Sequence, residues 1–298
     1  MTRLKTLFKV LLTFAVVVLI GWLIWNMLFN PITTIFNVTV KTERIEFTTI
    51  DNNNSRIVLH DASIATNDSI IYKQFEGTFE LGSNVDVTIE RIAEGPIILI
   101  MTCSKCKSVG KLFDGEDGTM IYKAKNYLDF VITDIQTKAK EGISYIFKID
   151  GKIEIGRNVA LELFDESNAI LRSGKVVLIG SSKFSNNCFE AGFEQLNLGD
   201  RLVFDNQESK GFGFVVVNEK AGMEAAYRVE SKKARIIRPG PQKDRSGLLI
   251  SATFLDRLFN DPFFKGLSFI IGVLVFFITT STFIMDTISF RKKRNNYD

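Results

Sequence analysis

The chain is poor in the side chains that most enzymes use for acid–base chemistry and metal binding. It has one histidine in 298 residues, His60, so Ser-His-Asp or Cys-His catalysis would depend on that side chain alone. His60 follows the apolar run 57–59, a context typical of a structural histidine. The sequence also lacks a phosphate-binding glycine loop, a dinucleotide glycine fingerprint and a metal-binding histidine pair. We therefore predict a protein that is not an enzyme and that holds no cofactor and no metal.

Cysteine is scarce as well, and its pattern leaves two interpretations open. Cys103, Cys106 and Cys188 are too few for a disulfide-built scaffold, and a domain of about 230 residues can bury a core without one. Cys103 and Cys106 form a C-x-x-C motif with Lys105 inside it and Lys107 directly after it. The lysines would favour a redox-active thiolate, whereas the surrounding β pattern favours a local disulfide or two semi-buried thiols. A zinc site would need a second Cys/His pair, which the sequence does not show.

Two long runs without charge lie near the ends of the chain, at residues 10–29 and 266–285. A hydrocarbon core needs about 20 apolar residues of helix, so we predict one transmembrane helix in each run. The first run is longer than a signal-peptide core, and no small-x-small cleavage pattern follows it, which favours an uncleaved signal anchor. Trp22 and Trp25 lie near its outer end, where aromatic rings favour the membrane interface.

The charges that flank these runs predict an orientation. The N-terminal tail, residues 1–9, carries three basic residues and no acid, and the C-terminal tail, residues 286–298, carries four basic residues. The positive-inside rule places both tails in the cytoplasm, so the intervening region would lie outside the cytoplasm, on a bacterial inner or cytoplasmic membrane. The formal charge is +3, but residues 37–285 hold 30 Lys and Arg against 32 Asp and Glu. This balance argues against nucleic acid as a partner.

The region between the two runs has a β pattern that occurs twice. Apolar residues alternate with other residues at period two, as expected of strands with one buried face. Residues 76–89 and 150–163 share Gly, Glu, Gly, Asn and Val at a constant offset of 74. We predict one β module at 37–126 and a second copy with an extension at 127–238. The predicted fold class is mainly β: a duplicated antiparallel β-sandwich or meander-type ectodomain between two transmembrane α-helices.

Residues 239–262 are predicted to form a stalk and a short amphipathic helix. The apolar face of this helix includes Phe254 and Leu258. Such a helix lies either at the membrane interface or beneath the β domain, and the spacing alone does not distinguish the two positions.

The second apolar run carries a stripe of small and polar residues. Gly272, Thr279 and Asp286 follow one another at intervals of seven, which places them near one side of a helix. A stripe of this kind is typical of a helix–helix interface, because small residues permit close approach and hydroxyls can bond across it. A water-filled pore formed by several copies is the alternative interpretation.

These observations lead to one main functional hypothesis and three alternatives. The main hypothesis is a two-span membrane protein whose extracytoplasmic β domain serves binding, sensing or scaffolding in an envelope complex. The alternatives are a homo-oligomeric channel, a redox or metal protein that uses Cys103 and Cys106, and, if the topology is inverted, an intracellular signal-sensing membrane effector. The expected partners are membrane lipid and either further copies of the chain or another membrane protein.

Overall fold

The chain divides into two compact units. The computed structural model describes residues 15, 17–26, 29–50, 55–67, 69–115, 118–133, 135, 145–156, 170–182, 188–204, 209–218, 220–238 and 247–294. The unit that we call the β unit comprises Pro31–Ile179 and Gly192–Ala252. The unit that we call the helical unit comprises Met1–Asn30, Gly180–Ala191 and Thr253–Asp298.

Nineteen strands lie within the described ranges. They are β1 Pro31–Ile32, β2 Thr34–Thr42, β3 Arg44–Thr49, β4 Arg56–Ala65, β5 Ile70–Leu81, β6 Asp86–Glu90, β7 Ile97–Thr102, β8 Gly110–Asp114, β9 Met120–Ala124, β10 Tyr127–Ile132, β11 Tyr145–Ile155, β12 Leu171–Ser181, β13 Cys188–Leu196, β14 Arg201–Phe204, β15 Gly211–Val217, β16 Met223–Ser231, β17 Ala234–Ile237, β18 Leu248–Ile250 and β19 Ala252–Thr253. Seventeen of them belong to one large sheet, and β1 and β19 lie outside it. The prediction of a mainly β, antiparallel chain is confirmed.

Every pairing with an assigned register is antiparallel. These pairings connect the strands in the order β12, β2, β16, β15, β11, β3, β6, β7, β10, β4, β5, β8 and β9. A branch leaves β11 through β14 to β17 and β18. Part of the segment predicted as a stalk, Leu248–Ile250, is therefore a strand of the sheet.

Side chains on strands that do not pair with each other meet in the core. Phe79 on β5 packs edge-on against Phe130 on β10 with ring centroids 5.0 Å apart, and Phe36 on β2 packs in the same way against Phe204 on β14 at 5.6 Å. The strands alternate buried and outward residues, most regularly in β2 and β16. Burial of this apolar face provides the main favourable contribution to folding.

Two glycines of the predicted repeat have the same structural role. Gly77 in β5 pairs with residues of β4 and β8, and Gly151 in β11 pairs with residues of β3 and β15. A Cβ at Gly77 would lie 2.4 Å from the Phe113 carbonyl oxygen, and one at Gly151 would lie 1.9 Å from the Thr48 carbonyl oxygen. Each glycine therefore permits the close approach of a neighbouring strand.

Strand pairing does not separate the two predicted copies. The strand β2, which begins the first copy, pairs with β12 and β16, and β10, which begins the second copy, pairs with β7 and β4. The duplication and its boundary at residues 126 and 127 stay predictions.

A buried arginine joins two distant loops of the β unit. The side chain of Arg91 has no exposed surface. Its Nη1 donates to three main-chain carbonyl oxygens, those of Asn218 at 2.6 Å, Lys220 at 2.8 Å and Gly222 at 3.0 Å. Its Nε donates to the carbonyl oxygen of Gly95 at 3.2 Å. Burial lowers the pKa of Arg91, opposed by the nearby charge of Glu94.

The buried acid Glu43 lies beside this arginine and supports the same loop. Its carbonyl oxygen accepts the main-chain N–H of Arg91 at 2.9 Å. Its Oε1 accepts the N–H of Ala93 at 3.1 Å and the Nε–H of Arg172 at 3.0 Å. The carboxylate therefore keeps charged and main-chain partners in a site that is nearly closed to solvent.

The helical unit contains α1 Val17–Asn26, α2 Phe254–Asn260 and α3 Pro262–Arg294. A capping box begins α2, because Thr253 Oγ1 accepts the N–H of Asp256 at 3.2 Å and Asp256 Oδ2 accepts the N–H of Thr253 at 2.8 Å. Asp261 caps α3 by accepting the N–H of Phe263 at 2.9 Å, and Pro262 occupies the first helical position. The dipeptide 261–262 thus ends one helix and starts the next.

One helix within the described residues is long and apolar enough to cross a membrane. It is the 23-residue stretch Pro262–Ile284 of α3, whose most apolar part is not buried within the structure. The other apolar helix, α1, has 10 described residues, and residues 10–14, 16, 27 and 28 of the first predicted span lie outside the described part of the chain. The first span, the two-span topology and the orientation stay predictions.

Candidate functional site

An exposed aromatic patch on the β unit is the candidate binding surface. It consists of Ile146 on β11 and Phe212 and Phe214 on β15, whose exposed fractions are 60%, 50% and 44%. The two phenylalanine rings contact each other edge to face with centroids 5.6 Å apart. With about 200 Å² for each aromatic side chain, the phenylalanines alone expose roughly 200 Å² of apolar surface. The largest apolar patch on a typical monomer is about 300–600 Å² and is often functional, so this is a small surface.

The local sequence accounts for the outward direction of these rings. In β15, Gly211 and Gly213 alternate with the phenylalanines and point toward the core. A Cβ at Gly213 would lie 2.3 Å from Cβ of the buried Tyr227, and one at Gly211 would lie 2.5 Å from Cδ1 of Ile153. The core is already filled beneath β15, so its large side chains occupy the outer face, the reverse of the usual arrangement in a half-buried strand.

The rim of the aromatic patch carries charges of both signs. Lys148 lies 5.4 Å from the centre of the Phe212 ring and 3.4 Å from the carboxylate of Asp150. On the other side of β15, Arg228 is opposite Phe212 in the register of β16, and Glu224 of that strand pairs with Lys41 at 3.6 Å. An apolar centre with a rim of paired charges is typical of protein–protein interfaces.

Cys103 and Cys106 form a disulfide with Cα atoms 5.8 Å apart. Cys103 is buried and Cys106 is half-buried, and the Cys106 N–H donates to Cys103 Sγ at 2.7 Å. The third cysteine, Cys188, is free and exposed. Of the two interpretations of the motif, this arrangement is the local disulfide, while a redox activity stays a prediction.

His60 lies at a bulge in β4 and is bonded to Glu76 of the neighbouring strand β5. Its Nδ1 lies 2.9 Å from Glu76 Oε2, and the N–H of the next residue, Asp61, donates to Glu76 Oε1 at 3.0 Å. One carboxylate therefore holds both residues at a place where Asp61 has φ of 50°. Within the described ranges, no group of three or more His, Cys, Asp and Glu side chains could hold a metal ion.

A shallow groove on the outer face of β3, β6 and β11 has a volume of about 170 Å³ and is rich in acids. Each of its acids has a partner: Arg44 Nε donates to Glu46 at 2.6 Å, Thr48 Oγ1 to Asp86 at 2.7 Å, and Arg201 Nη2 to Glu154 at 2.8 Å. These carboxylates already bind partners within the protein. We therefore do not treat the groove as a second candidate binding site.

Among the described acids, Asp129 is one whose environment disfavours its charge. It lies on β10 opposite Ile100 of β7 and Ala65 of β4. Burial raises its pKa, and the main-chain groups of Asp129 and Ala65 oppose that rise. Its buried Oδ1 has no hydrogen-bond partner among the described residues. The same burial, together with the charge of Asp129, raises the pKa of Tyr127.

The polar residues predicted on the second span bond within their own helix. Thr279 Oγ1 donates to the carbonyl oxygen of Val275 at 2.9 Å, Thr280 Oγ1 donates to that of Phe276 at 2.8 Å, and Ser281 and Thr282 bond in the same way. These bonds satisfy the hydroxyls without a neighbouring helix. Gly272 has open space around it, and the side chain of Asp286 lies outside the described residues. The interface and pore interpretations both stay predictions.

The residues predicted at the membrane interface are found on helices of the helical unit. Trp22 and Trp25 lie on α1 with large exposed fractions, and the Trp25 ring packs against Phe29 with centroids 4.2 Å apart. Phe254 and Leu258 lie on α2, and both are half-buried. Their contact with lipid stays a prediction.

No protein-family model matches the chain, and no curated protein is significantly similar to it. The candidate site must therefore be judged by its own chemistry.

The sequence analysis did not single out the aromatic patch, although it contains a signal for it. The alternation Gly211, Phe212, Gly213, Phe214 puts both glycines on one face of a strand and both phenylalanines on the other. Since glycine leaves room for a neighbouring core side chain, this alternation predicts outward phenylalanines.

Proposed function

We propose that this chain is an integral membrane protein that presents its β unit outside the cytoplasm as a binding domain of an envelope complex. The observation that carries the proposal is the aromatic patch of Ile146, Phe212 and Phe214 on a sheet whose other apolar residues point mainly inward. A binding domain needs such a surface, whereas the described residues hold no metal-binding cluster.

The membrane part of the proposal is supported by α3. The most apolar part of this 23-residue stretch is not buried by any of the described residues, and a hydrocarbon environment would cover it. The disulfide between Cys103 and Cys106 supports the extracytoplasmic placement, because disulfides persist in oxidising compartments and are rare in the cytosol.

The partner that we propose for the aromatic patch is a second copy of the chain. Its rim carries charges of both signs, among them the cations Lys41, Lys148 and Arg228 and the anions Asp150 and Glu224. A two-fold contact brings the same surface of both copies together, so a rim that carries both signs suits a self-complementary contact. Copies held in one membrane also meet at a high effective concentration, which favours association through a small surface.

Native mass spectrometry of the full chain in detergent micelles tests this proposal. We expect the wild type to form a dimer and the variant Phe212→Ser/Phe214→Ser to associate at least tenfold more weakly, because it replaces both rings at the centre of the contact. The matched control is Val58→Ser/Met120→Ser, which removes two exposed apolar side chains of β4 and β9 away from the patch. It should retain the dimer.

A wild type that is strictly monomeric would overturn the proposed partner. A dimer that survives equally well in the patch variant and in the control would show that the copies meet elsewhere.

A further inference from the structure

We propose that a cleft beside the Cys103–Cys106 disulfide binds a phosphate or sulfate group of an anionic ligand. The cleft, which we call the disulfide cleft, has a volume of about 440 Å³. One wall is the end of β5 with the turn 82–84, and the other is the loop 105–108, while Glu80 and Lys111 close one side. This proposal is independent of the self-association described above.

The two walls of the disulfide cleft approach each other too closely to admit a larger residue at Gly82. A Cβ there would lie 2.3 Å from the carbonyl oxygen of Ser108. The N–H of Gly82 donates to the carbonyl oxygen of Val109 at 2.7 Å, which joins the turn directly to the loop. The turn itself is fixed by Asn84, whose φ is 56° and whose N–H donates to the carbonyl oxygen of Thr49 at 3.1 Å.

The loop is held at both ends and across its middle. At its start, the N–H of Cys103 donates to the carbonyl oxygen of Asn126 at 2.9 Å, and at its end, the N–H of Val109 donates to that of Lys125 at 3.0 Å. Between these points the disulfide closes the turn 103–106. A loop fixed in this way loses little conformational entropy when a ligand binds, so the site is preorganised.

The charges that line the disulfide cleft are mainly positive. Three lysines line it, Lys105, Lys107 and Lys111, against one acid, Glu80. Glu80 is engaged by Lys111 at 3.5 Å and by Arg56 at 3.4 Å. The side chains of Lys105 and Lys107 are exposed and form no ion pair with any other described residue. Two ammonium groups therefore remain for a ligand.

This combination selects the ligand chemistry. Ammonium groups bind phosphate as point charges, and Ser83 and Ser108 add hydroxyl donors to the lining. The cleft has the size of a small-molecule site. Aromatic residues are absent from its lining, which argues against a stacked base or a flat apolar ligand and for a compact anionic group.

The disulfide acts here as a positioning element, because it fixes the turn 103–106 that carries Lys105 and that Lys107 directly follows. Reduction would release the turn without removing a charge. We therefore expect reduction to weaken ligand binding while the lysines remain in place.

The test uses the full chain in nanodiscs of zwitterionic lipid, with inositol hexakisphosphate as the probe and calorimetry as the readout. The variant Lys105→Gln/Lys107→Gln should bind the probe at least tenfold more weakly at about 0.15 M salt, where exposed long-range charge is largely screened. The control Lys232→Gln/Lys233→Gln removes the same two charges elsewhere on the β unit and should stay within twofold of the wild type. The variant Cys103→Ser/Cys106→Ser should weaken binding severalfold.

Nanodiscs that contain phosphatidylglycerol distinguish the two sources of the anionic group. If they lower the affinity of the wild type for the probe, but not that of the cleft variant, the group belongs to a lipid headgroup. If they leave the affinity unchanged, the group belongs to a soluble ligand. Equal losses in the cleft variant and the control, or no binding by the wild type, would overturn the proposal.

Discussion

Arg91 and the pair Lys105 and Lys107 are basic residues of the β unit that differ in burial and in their partners. The guanidinium of Arg91 is buried and donates to four main-chain carbonyl oxygens. Lys105 and Lys107 are exposed, and no described residue forms an ion pair with either. The comparison shows that the same formal charge serves stability where the protein supplies the partners and is left for a ligand where it does not.

The cost of desolvation explains this difference. A buried charge must be compensated within the fold, and Arg91 Nη1 and Nε donate to main-chain carbonyl oxygens of two loops, while its Nη2 has no hydrogen-bond partner among the described residues. An exposed lysine keeps its hydration and contributes little to stability, so its position is free to be used for binding. The lysine side of the comparison is tested by Lys105→Gln/Lys107→Gln, and the cost of burying a charge is tested at Arg91 and at Asp129.

The largest effect on stability is expected at the buried residue Arg91. The substitution Arg91→Met should lower the free energy of unfolding by about 3 kcal/mol, since it removes the donor from the buried carbonyl oxygen of Gly222 and from three partly buried carbonyl oxygens. Arg56→Met is the matched control because it removes an arginine whose side chain is 67% exposed and should cost at most about 0.5 kcal/mol. Denaturant unfolding of both full-chain variants measures the difference, and equal stabilities would contradict a structural role for Arg91.

A smaller effect of opposite sign is expected at Asp129, a partly buried charge for which the fold does not supply full compensation. Because burial raises its pKa, its ionisation disfavours the folded state. The stability contribution of the protonated acid is fully present below its unfolded pKa of about 3.9 and is lost as the pH rises through the raised folded value. Asp129→Asn should therefore stabilise the protein at neutral pH by up to about 1 kcal/mol.

Thermal unfolding as a function of pH measures this effect. The gain of Asp129→Asn over the wild type should disappear below the unfolded pKa, where the aspartate is protonated in both states. A gain that is independent of pH would contradict the explanation from charge burial.

The sequence predicted the class of structure better than the candidate site. Alternation at period two is a local property, and it predicted the β content that the structure has. The glycines of the repeat also have a local signal, since a residue that must admit a neighbouring strand cannot carry a Cβ. These features depend on residues that are close in sequence.

The remaining features depend on contacts that no local pattern contains. Arg91 donates to residues 127 to 131 positions away, and nothing around it in the sequence indicates burial. The disulfide cleft needs the turn 82–84 to meet the loop 105–108, which the pairings of β5 with β8 and of β6 with β7 bring about. In the sequence, Lys105 and Lys107 indicated only that a thiolate would be favoured, whereas the structure places both lysines around a cleft.

The central claim is that the β unit lies outside the cytoplasm, and the native thiol Cys188 offers the most direct test of it. Cys188 is free and exposed, whereas Cys103 and Cys106 are bonded to each other. Cys188 belongs to the segment Gly180–Ala191 of the helical unit, and it reports on the β unit because this segment lies between the two apolar runs with β-unit residues on both sides of it in the sequence. Cells that retain only their cytoplasmic membrane would be treated with a membrane-impermeant maleimide before and after permeabilisation. The account predicts one label per chain before permeabilisation and none in Cys188→Ser, while labelling that appears only after permeabilisation would contradict it.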